Sequence, residues 1–573
     1  MKKTKIMSLG LASAIMLVSV LTGCSSKNDG NAKPNENASP AANSEAPTAN
    51  EPANEPANAS TPPADPLGKY DPPITVSVIR PYDENVKFVE GESATDNLWT
   101  RKYEEGLGIK VNYDWTLQAP IDQYYQKLNV AIASNDLADI MVVSSGQLKQ
   151  LAEAGQIADL TDVYQNYASD FTKKIFTDDG GLALNSATFG GKLLGLPRLG
   201  SDIDEVPLLW IRKDWLKKLN LPDPKTMADV DKIAEAFATQ DPDGNGKADT
   251  SGLGLSKDLN GGFPGFEGYL NGYHAYYNTW LKDASGQLVN SNIQPEMKTA
   301  LAALQKLYAN KAIDKEFGTK DGGKAAEAVT NGKLGMYYGA MWTPIWPIQD
   351  GRNLDKTMEW EPFALPSADG QPTKGQVPFD VPSNQYYVVK KNAEHPEAAL
   401  KMMNFYYDSN YIKGEKADTA KYDGIETFKY VILAGAPTTE NLDVYKKAKT
   451  LFEANDVESM KNAKEGQLPI VAKYLEGDEK SWGYYKVFGP DGSYKVIEQM
   501  LNQNLFMRSE YFGPPTPTMG EKSSTLDTLL KETFTKIIMG AASIDEFDKF
   551  VENWKQLGGD QITKEVNEWA ASR

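Results

Sequence analysis

Ile74-Thr75-Val76-Ser77-Val78-Ile79 is rich in β-branched residues and predicts a β-strand. Four segments after it alternate between helical and extended patterns: a helix at 96–105, a strand at 109–115, a helix at 121–134 and a buried strand at 140–143. A β-α-β-α-β order is typical of an α/β protein with parallel strands. In that architecture ligands lie beyond the carboxyl ends of the strands, so we expect the binding site there.

A second block of mixed elements begins at residue 208. Leu208 to Ile211 predicts a strand, and Thr226 followed by Asp229 forms the capping pair of a predicted helix. Further strands are predicted at 332–338 and 386–389, and further helices at 396–407, 526–539, 544–557 and 562–569. A chain of 573 residues is long enough for two or three domains.

The N-terminus has the pattern of a secretion signal. Lys2, Lys3 and Lys5 precede an apolar run from Ile6 to Val20, and Leu21-Thr22-Gly23-Cys24 follows it. The apolar run is short for a membrane span, and the four residues after it resemble a bacterial lipobox. We therefore expect residues 1–23 to be removed and the Cys24 thiol to carry a diacylglycerol on the extracellular face of the membrane. A short anchor that is never cleaved is the alternative.

The residues after this signal cannot build a core. Between Ser25 and Pro66 there is no Leu, Ile, Val, Met, Phe, Tyr or Trp. Segments of this composition remain disordered because they bury too little apolar surface. We assign residues 24–70 to a flexible tether, although an interdomain spacer would have the same composition.

The composition excludes several classes of function. Cys24 is the only cysteine in the sequence, so an intramolecular disulfide, a cysteine-rich zinc site and a buried catalytic thiol are all excluded. The formal net charge of −18 is spread along the chain, which argues against a nucleic-acid partner. The 11 Trp and 28 Tyr exceed what core packing alone would suggest, so we expect some of them to line a groove.

Five segments of the sequence together resemble a known protein family. They are Leu151-Ala152-Glu153-Ala154-Gly155-Gln156-Ile157-Ala158-Asp159-Leu160-Thr161, Gly191-Lys192-Leu193-Leu194-Gly195-Leu196-Pro197, Trp210-Ile211-Arg212-Lys213-Asp214-Trp215-Leu216, the run 512–518 and the ending 558–567. In this order and spacing they resemble bacterial extracellular solute-binding proteins of the maltose-binding type, and within them the branch of LplA and alginate-binding lipoproteins. The resemblance covers about residues 71–573.

The resemblance implies a periplasmic-binding-protein-like type II fold, an α/β fold with two discontinuous lobes, a hinge and a ligand cleft between the lobes. The lobes would be divided as 71–200 and 371–410 for the N-terminal lobe, and 201–370 and 411–573 for the C-terminal lobe. The implied function is capture of an oligosaccharide by a monomer, held to the membrane only by its lipid, and delivery to an ABC permease with a separate ATPase. A lipid-anchored glycoside hydrolase or polysaccharide lyase is the alternative, and a surface adhesin is a third.

A short acidic loop resembles an EF-hand. Oxygen-bearing side chains recur at alternate positions, glycine stands at the sixth position, and a backbone carbonyl is available at the seventh; the predicted ligand set is Asp241, Asp243, Asn245, Lys247 (carbonyl), Asp249 and Thr250. The twelfth position, usually a glutamate, is Gly252. In the resembling branch such loops hold calcium with a carboxylate next to the ninth position. The sequence therefore favours a structural calcium site over a polar turn.

The candidate ligand contacts follow from sugar chemistry, because sugars present C–H faces to aromatic rings and hydroxyls to short polar side chains. Trp342 is the first candidate, since maltose-binding-type proteins place a stacking tryptophan after a strand like 332–338. The others are Trp346, Trp99, Trp280, Trp482, Arg198 and Asp202, with core packing or surface charge as the alternative for each. Trp210 and Trp215 are expected in the core.

Signatures of enzymes are mostly absent from the sequence. The two histidines, His274 and His395, lie in no HExxH or triad-like setting, and no G-x-S-x-G motif is present. The run 318–324 imitates a phosphate-binding loop, but Ala325 replaces the required serine or threonine. We therefore expect a binding protein and not an enzyme.

Overall fold

The computed structural model describes residues 64–571, except 83–85, 179, 262, 380, 382–383, 416–424 and 426. The predicted signal peptide, Cys24 and most of the assigned tether therefore lie outside the described residues. Among the helices of the described part, none is both long and apolar enough for a membrane crossing.

The first lobe is built on the predicted alternation of strands and helices. Its elements are β1 (Ile74–Tyr82), α1 (Leu98–Leu107), β2 (Ile109–Gln118), α2 (Ile121–Ser134), β3 (Ile140–Ser144), α3 (Ser145–Glu153), α4 (Thr161–Tyr167), α5 (Asp170–Ile175), α6 (Leu182–Ser186), β4 (Thr188–Phe189), β5 (Lys192–Leu193) and β6 (Leu196–Pro197). The bounds of α2 coincide with the prediction. This helix buries Leu128, Ala131 and Ile132, because they share one face at helical spacing.

The second lobe begins at the next strand. Its first part contains β7 (Leu208–Arg212), α7 (Lys213–Lys218), α8 (Met227–Thr239), β8 (Ser251–Leu253), α9 (Glu267–Asn271), β9 (Trp280–Lys282), β10 (Leu288–Asn290), α10 (Pro295–Ala309), α11 (Gly322–Thr330), β11 (Leu334–Gly339), α12 (Gln349–Leu354), β12 (Trp360–Phe363) and β13 (Gly375–Gln376). The predicted capping pair of α8 is present. Thr226 caps the backbone of Asp229, and the Asp229 carboxylate accepts a hydrogen bond from the Thr226 amide.

The chain then returns to the first lobe and crosses again. The return contains β14 (Gln385–Val389) and α13 (Glu397–Tyr407). The last part contains α14 (Glu440–Glu453), α15 (Val457–Lys461), α16 (Gln467–Leu475), α17 (Trp482–Phe488), α18 (Ser493–Asn502), β15 (Phe506–Met507), α19 (Pro517–Ile538), α20 (Glu546–Trp554) and α21 (Asp560–Ala571).

Each lobe has a central sheet. The first sheet has the strand order β2-β1-β3-β14-β6, with β1 parallel to β2 and β3, and β14 antiparallel to β3 and β6. The second sheet has the order β12-β7-β11-β8, in which β7 is antiparallel to both neighbours and β8 is parallel to β11. The inner strands β3, β7, β11 and β14 are buried on both faces, which explains their nearly continuous apolar sequences.

The hydrophobic cores show where the chain passes between lobes. One core takes in residues from 76 to 199 and from 381 to 433, whereas two adjoining cores take in residues from 203 to 377 and from 442 to 566. The predicted segments differ from this division in two places. Tyr430 to Leu433 pack in the first lobe, and Val377 packs in the second, because buried contacts rather than sequence breaks set the boundary.

The three passages between the lobes are joined by hydrogen bonds. The Arg198 amide donates to the Gln385 carbonyl at 2.9 Å, and the Ala436 amide donates to the Leu199 carbonyl at 3.0 Å. The Ala434 amide also donates to the Tyr387 hydroxyl at 2.8 Å. We call these paired passages the hinge segments, residues 198–207, 376–385 (without the undescribed residues 380, 382 and 383) and 433–442.

A buried amide fastens the beginning of the described chain to the first lobe. The side-chain oxygen of Asn404 accepts hydrogen bonds from the Ser169 amide at 3.2 Å and the Thr172 hydroxyl at 2.7 Å. Its nitrogen donates to the carbonyls of Pro66 at 3.0 Å and Tyr167 at 2.7 Å. All four hydrogen-bonding positions of this side chain are therefore used.

We predict that Asn404→Ala lowers the free energy of unfolding by about 2–4 kcal/mol, because several buried polar groups lose their partner together. Denaturant unfolding of the folded domain measures this change. Asn112→Ala is the matched control, since Asn112 is exposed and should shift stability by about 0.5 kcal/mol at most. Equal stability of the Asn404 variant and the wild type would contradict the role given to this network.

Candidate ligand-binding cleft

Two cavities flank the hinge segments. The first, of about 570 Å³, lies in the first lobe where β1, β2 and β3 end, and hinge residues 198–200 and 434–436 form part of its wall. The second, of about 610 Å³, lies in the second lobe at the end of β11, and Glu205, Pro207 and residues 376–378 of the hinge line it. Both cavities therefore adjoin the same passages between the lobes.

A pair of tryptophans follows β11 in the second lobe. Trp342 is half-buried, and Trp346 is 42% exposed. Their ring centroids lie 6.3 Å apart with an interplanar angle of 23°, and Phe263 meets Trp346 edge-on at 5.6 Å. The pair presents an aromatic surface that a flat apolar face could stack on. The structure thus brings together the two tryptophans that the sequence ranked first.

Trp342 is tied to the second cavity through a carboxylate. The Trp342 indole lies close enough to the Glu205 carboxylate to influence its pKa, and Glu205 lines that cavity. Desolvation and the neighbouring Asp204 carboxylate raise the pKa of Glu205, whereas the Trp342 indole lowers it. Glu205 can therefore accept hydrogen bonds from a ligand beside an aromatic ring.

Asp204, the residue before Glu205, connects this hinge segment to the C-terminal helices. Tyr494 donates a hydrogen bond to one carboxylate oxygen of Asp204, and the Asn441 side chain donates to the other at 2.7 Å. Burial raises the pKa of Asp204 to about 6, although these donors favour the charged form. The carboxylate joins the first crossing to the C-terminal helices α14 and α18.

A second glutamate lines the same cavity as Glu205. One carboxylate oxygen of Glu267 accepts a hydrogen bond from the Gly261 amide at 2.8 Å. Desolvation raises the pKa of Glu267 to about 7. Sequence reasoning missed Glu205 and Glu267, because nothing in their local sequence distinguishes them from the other acidic residues. The position of Glu205 close to the predicted lobe boundary between residues 200 and 201 was the one available signal.

The two polar candidates near the first crossing have different surroundings. Arg198 is half-buried and lines the first cavity, and its guanidinium donates to the Gln385 side chain at 2.5 Å. Asp202 is only 2% exposed and forms an ion pair with Arg508. The prediction of Asp202 as a ligand contact is therefore corrected, because its carboxylate is enclosed and already paired.

Three other tryptophans belong to hydrophobic cores. Trp99 is 3% exposed and donates its indole N–H to the Thr427 carbonyl at 3.0 Å. Trp280 is buried on β9 near Tyr511, and Trp482 is buried beneath the Arg352 guanidinium, 4.6 Å from the ring centroid. Their prediction as ligand contacts is corrected, since core packing covers their rings. Trp210 and Trp215 are buried, as expected.

The acidic loop adopts the tight turn that its glycines suggested. Gly244 and Gly246 have φ angles of 73° and 77°, in the left-handed region that glycine tolerates. Asp241 accepts hydrogen bonds from the amides of Asn245 and Gly246, each at 3.0 Å. These amides hold the pKa of Asp241 below its ordinary value.

A lysine lies where two carboxylates of this loop converge. The Lys333 ammonium donates to Asp243 at 2.8 Å and to Asp249 at 2.9 Å, and the Asn245 side chain bridges the same two carboxylates. In the described part of the chain no cluster of three acidic, histidine or cysteine side chains converges as a metal centre would. The oxygen donors of the loop are of the kind that a hard cation prefers. The carboxylates of Asp243 and Asp249 are already paired with the Lys333 ammonium.

The end of the loop explains its departure from an EF-hand. A Cβ atom at Gly252 would lie 2.0 Å from the Ala234 carbonyl oxygen, so no side chain fits at the twelfth position. Thr250 is buried and donates its hydroxyl to the Phe237 carbonyl at 2.7 Å. Its predicted role as a ligand is corrected, because its side chain points into the lobe. Lys247 lies in the exposed turn, as required if only its carbonyl took part.

Comparisons with known proteins agree with this architecture. Residues 87–411 match the family described as bacterial extracellular solute-binding protein. The polygalacturonan/rhamnogalacturonan-binding protein YtcQ of Bacillus subtilis is 26% identical over 77% of this chain and 82% of its own length. Lipoprotein LipO of the same organism is 25% identical over 83% of this chain and 89% of its own.

A solved structure shows the same fold. The Streptococcus pneumoniae ABC-transporter substrate-binding protein FusA, as an EF-hand mutant in complex with fructo-nystose, superposes with a TM-score of 0.56 at 16% identity, covering 87% of this chain and 100% of FusA. The family match extends over more than half of the chain and confirms the resemblance found in the sequence. The chain belongs to the bacterial extracellular solute-binding protein family, whose members are binding proteins of ABC transporters and not enzymes.

Proposed function

We propose that this protein captures an oligosaccharide between its two lobes and delivers it to an ABC permease energised by a separate ATPase. The observation that carries the proposal is the stacked pair Trp342 and Trp346 beside a cavity at the hinge. Two similar proteins support the ligand class by their names, since YtcQ is a polygalacturonan-binding protein and FusA was solved with fructo-nystose.

The chemistry of the cleft suits a sugar. The two indole rings would stack on C–H faces, while the carboxylates of Glu205 and Glu267 in the neighbouring cavity offer acceptors for hydroxyl groups. Because the two cavities lie on different lobes, a ligand that contacts both would favour the closed arrangement through its differential affinity for it.

An oligosaccharide panel tests this function directly. We expect one or more sugars to raise the melting temperature of the purified protein while chromatography recovers them intact. Turnover of the sugar would instead support the hydrolase or lyase alternative, which neither the family nor the similar proteins favour.

We predict that Trp342→Ala weakens oligosaccharide affinity about 5- to 150-fold, which corresponds to about 1–3 kcal/mol of lost stacking and burial. The melting temperature of the unliganded protein should change by a few degrees at most, because Trp342 is half-buried at the cleft. Calorimetry with a sugar from the panel measures the affinity.

Trp115→Ala is the matched control for Trp342→Ala. Trp115 is also half-buried, but it lies on the edge strand β2 outside both cavities. This control should keep full affinity. Unchanged affinity in the Trp342 variant would show that the sugar stacks on another residue, and Trp346 would be the next residue to replace.

We propose further that Cys24 carries a lipid that holds the protein at the outer face of the membrane. The lipobox-like ending of the signal supports this proposal, and the similar protein LipO is named a lipoprotein.

For Cys24→Ser we predict release from the membrane fraction into the medium with the fold retained, since the thiol would be the attachment point. Fractionation with immunoblotting measures the distribution, and circular dichroism of the released protein checks its fold. A variant that stays with the membrane would show that another segment anchors the chain.

We also propose that the acidic loop binds a structural calcium ion through Asp241, Asp243, Asn245, Asp249 and the carbonyl of Lys247. The oxygen-only donors at EF-hand spacing support it, and the similar protein FusA was solved as an EF-hand mutant. Binding would require Lys333 to leave the two carboxylates that it contacts. Calcium would then replace one positive charge with two.

We predict that chelation lowers the melting temperature, because an ion at 100 times its Kd stabilises the native state by about 2.7 kcal/mol. The double variant Asp241→Ala with Asp243→Ala should remove the difference between chelator and calcium. Scanning calorimetry of each variant measures it, and Asp283→Ala, in another exposed acidic turn, should keep the difference. If chelator leaves the melting temperature of the wild type unchanged, the calcium proposal is wrong, and Lys333 is the counterion of the loop.

A further inference from the structure

The cavity of the first lobe has an unusual charge for this chain. The sequence contains 78 acidic and 60 basic residues, so acidic walls would be expected by composition. Among the described residues that line this cavity, however, Arg80, Arg198 and Lys429 are basic and none is Asp or Glu. The cavity of the second lobe has the opposite character, since Glu205 and Glu267 line it.

Arg80 supplies a buried positive charge to this wall. It is 7% exposed and lies over the Tyr82 ring, 4.0 Å from the centroid. Its guanidinium donates to the backbone carbonyls of Tyr430 at 2.6 Å, Lys429 at 3.2 Å and Val431. No carboxylate of the described residues pairs with it. Carbonyl oxygens satisfy its hydrogen bonds but leave its full charge uncompensated in a poorly solvated site.

Arg198 supplies donors that a ligand can reach. Its guanidinium has five N–H groups, and one of them donates to the Gln385 side chain. The nearest acidic residue along the chain, Asp202, is committed to Arg508. A half-buried guanidinium that keeps donors facing a cavity of about 570 Å³ is suited to bind a carboxylate in bidentate geometry.

We infer that the ligand is an acidic oligosaccharide, in which the carboxylate of a uronic-acid unit lies against Arg198 in the first-lobe cavity. This inference rests on the proposed oligosaccharide-binding function and adds the charge of the sugar. The charges of the two cavities also orient the ligand. Its anionic unit contacts the first lobe, and its hydroxyl-rich units contact the tryptophan pair and glutamates of the second lobe.

Matched pairs of sugars test the inference with the full folded protein. Two trisaccharides, one with a terminal glucuronic acid and one with a terminal galacturonic acid on two neutral units, are each compared with their methyl esters, which have the same length and no charge, and maltotriose and kestose serve as neutral sugars. We expect an acid to bind about 10- to 100-fold more tightly than its ester, as a charge-assisted hydrogen bond allows. The ratio should fall at high salt, because ions screen the partly exposed pair.

Arg198→Gln should reduce this ratio to about one while leaving the affinity for the ester within a few-fold. Arg101→Gln is the matched control, since Arg101 is a surface residue paired with Glu92 outside the cavity and its loss changes the net charge equally. Circular dichroism confirms that both variants are folded.

The outcomes separate the two claims. An acid preference that disappears in the Arg198 variant and persists in the Arg101 variant supports the inference. Binding of neutral sugars or esters with equal or higher affinity overturns the inference and leaves the oligosaccharide function standing. An acid preference that survives Arg198→Gln overturns the assignment of the carboxylate to this residue. Absence of binding to every sugar overturns both claims.

Discussion

The pairing of the hinge segments is the constraint on which the rest of the structure depends. The backbone hydrogen bonds from Arg198 to Gln385 and from Ala436 to Leu199 hold three distant parts of the chain side by side. Each part then enters a different lobe, so both lobes are necessarily discontinuous in sequence. Because both cavities adjoin these segments, a small change in hinge geometry alters the relation between their walls.

Buried polar groups stabilise the hinge at a cost in solvation. Asp204 is almost fully enclosed, yet it receives hydrogen bonds from Tyr494 and Asn441 and thereby connects the first crossing to α14 and α18. Burial of a carboxylate is tolerated when donors satisfy it. The C-terminal helices are therefore part of the apparatus that positions the cleft, although they lie far from it in sequence. This arrangement also positions Trp342 and Glu205.

Local sequence patterns predicted the elements well but could not decide which aromatic residues face the cleft. The bounds of α2 and the Thr226–Asp229 cap depend on residues a few positions apart, so the sequence contains the information. Trp99 and Trp342 both follow plausible patterns, and only tertiary contacts bury the first and leave the second half-open. Gly252 departs from the EF-hand pattern, and local sequence gives no reason for this departure. The structure gives the reason, because the Ala234 carbonyl leaves no room for a side chain at residue 252.

The first residues of the described chain pack against α13 of the first lobe. The carbonyl of Pro66 accepts a hydrogen bond from Asn404, that of Gly68 accepts one from Lys401 at 2.8 Å, and the Tyr70 hydroxyl donates to Glu397 at 2.7 Å. The Tyr70 amide also donates to the Leu107 carbonyl of α1 at 2.9 Å. Mechanical load applied through the preceding segment would therefore enter the first lobe through both α13 and α1. The second lobe takes no part in these contacts, so its movement about the hinge would not be opposed by force on the preceding segment.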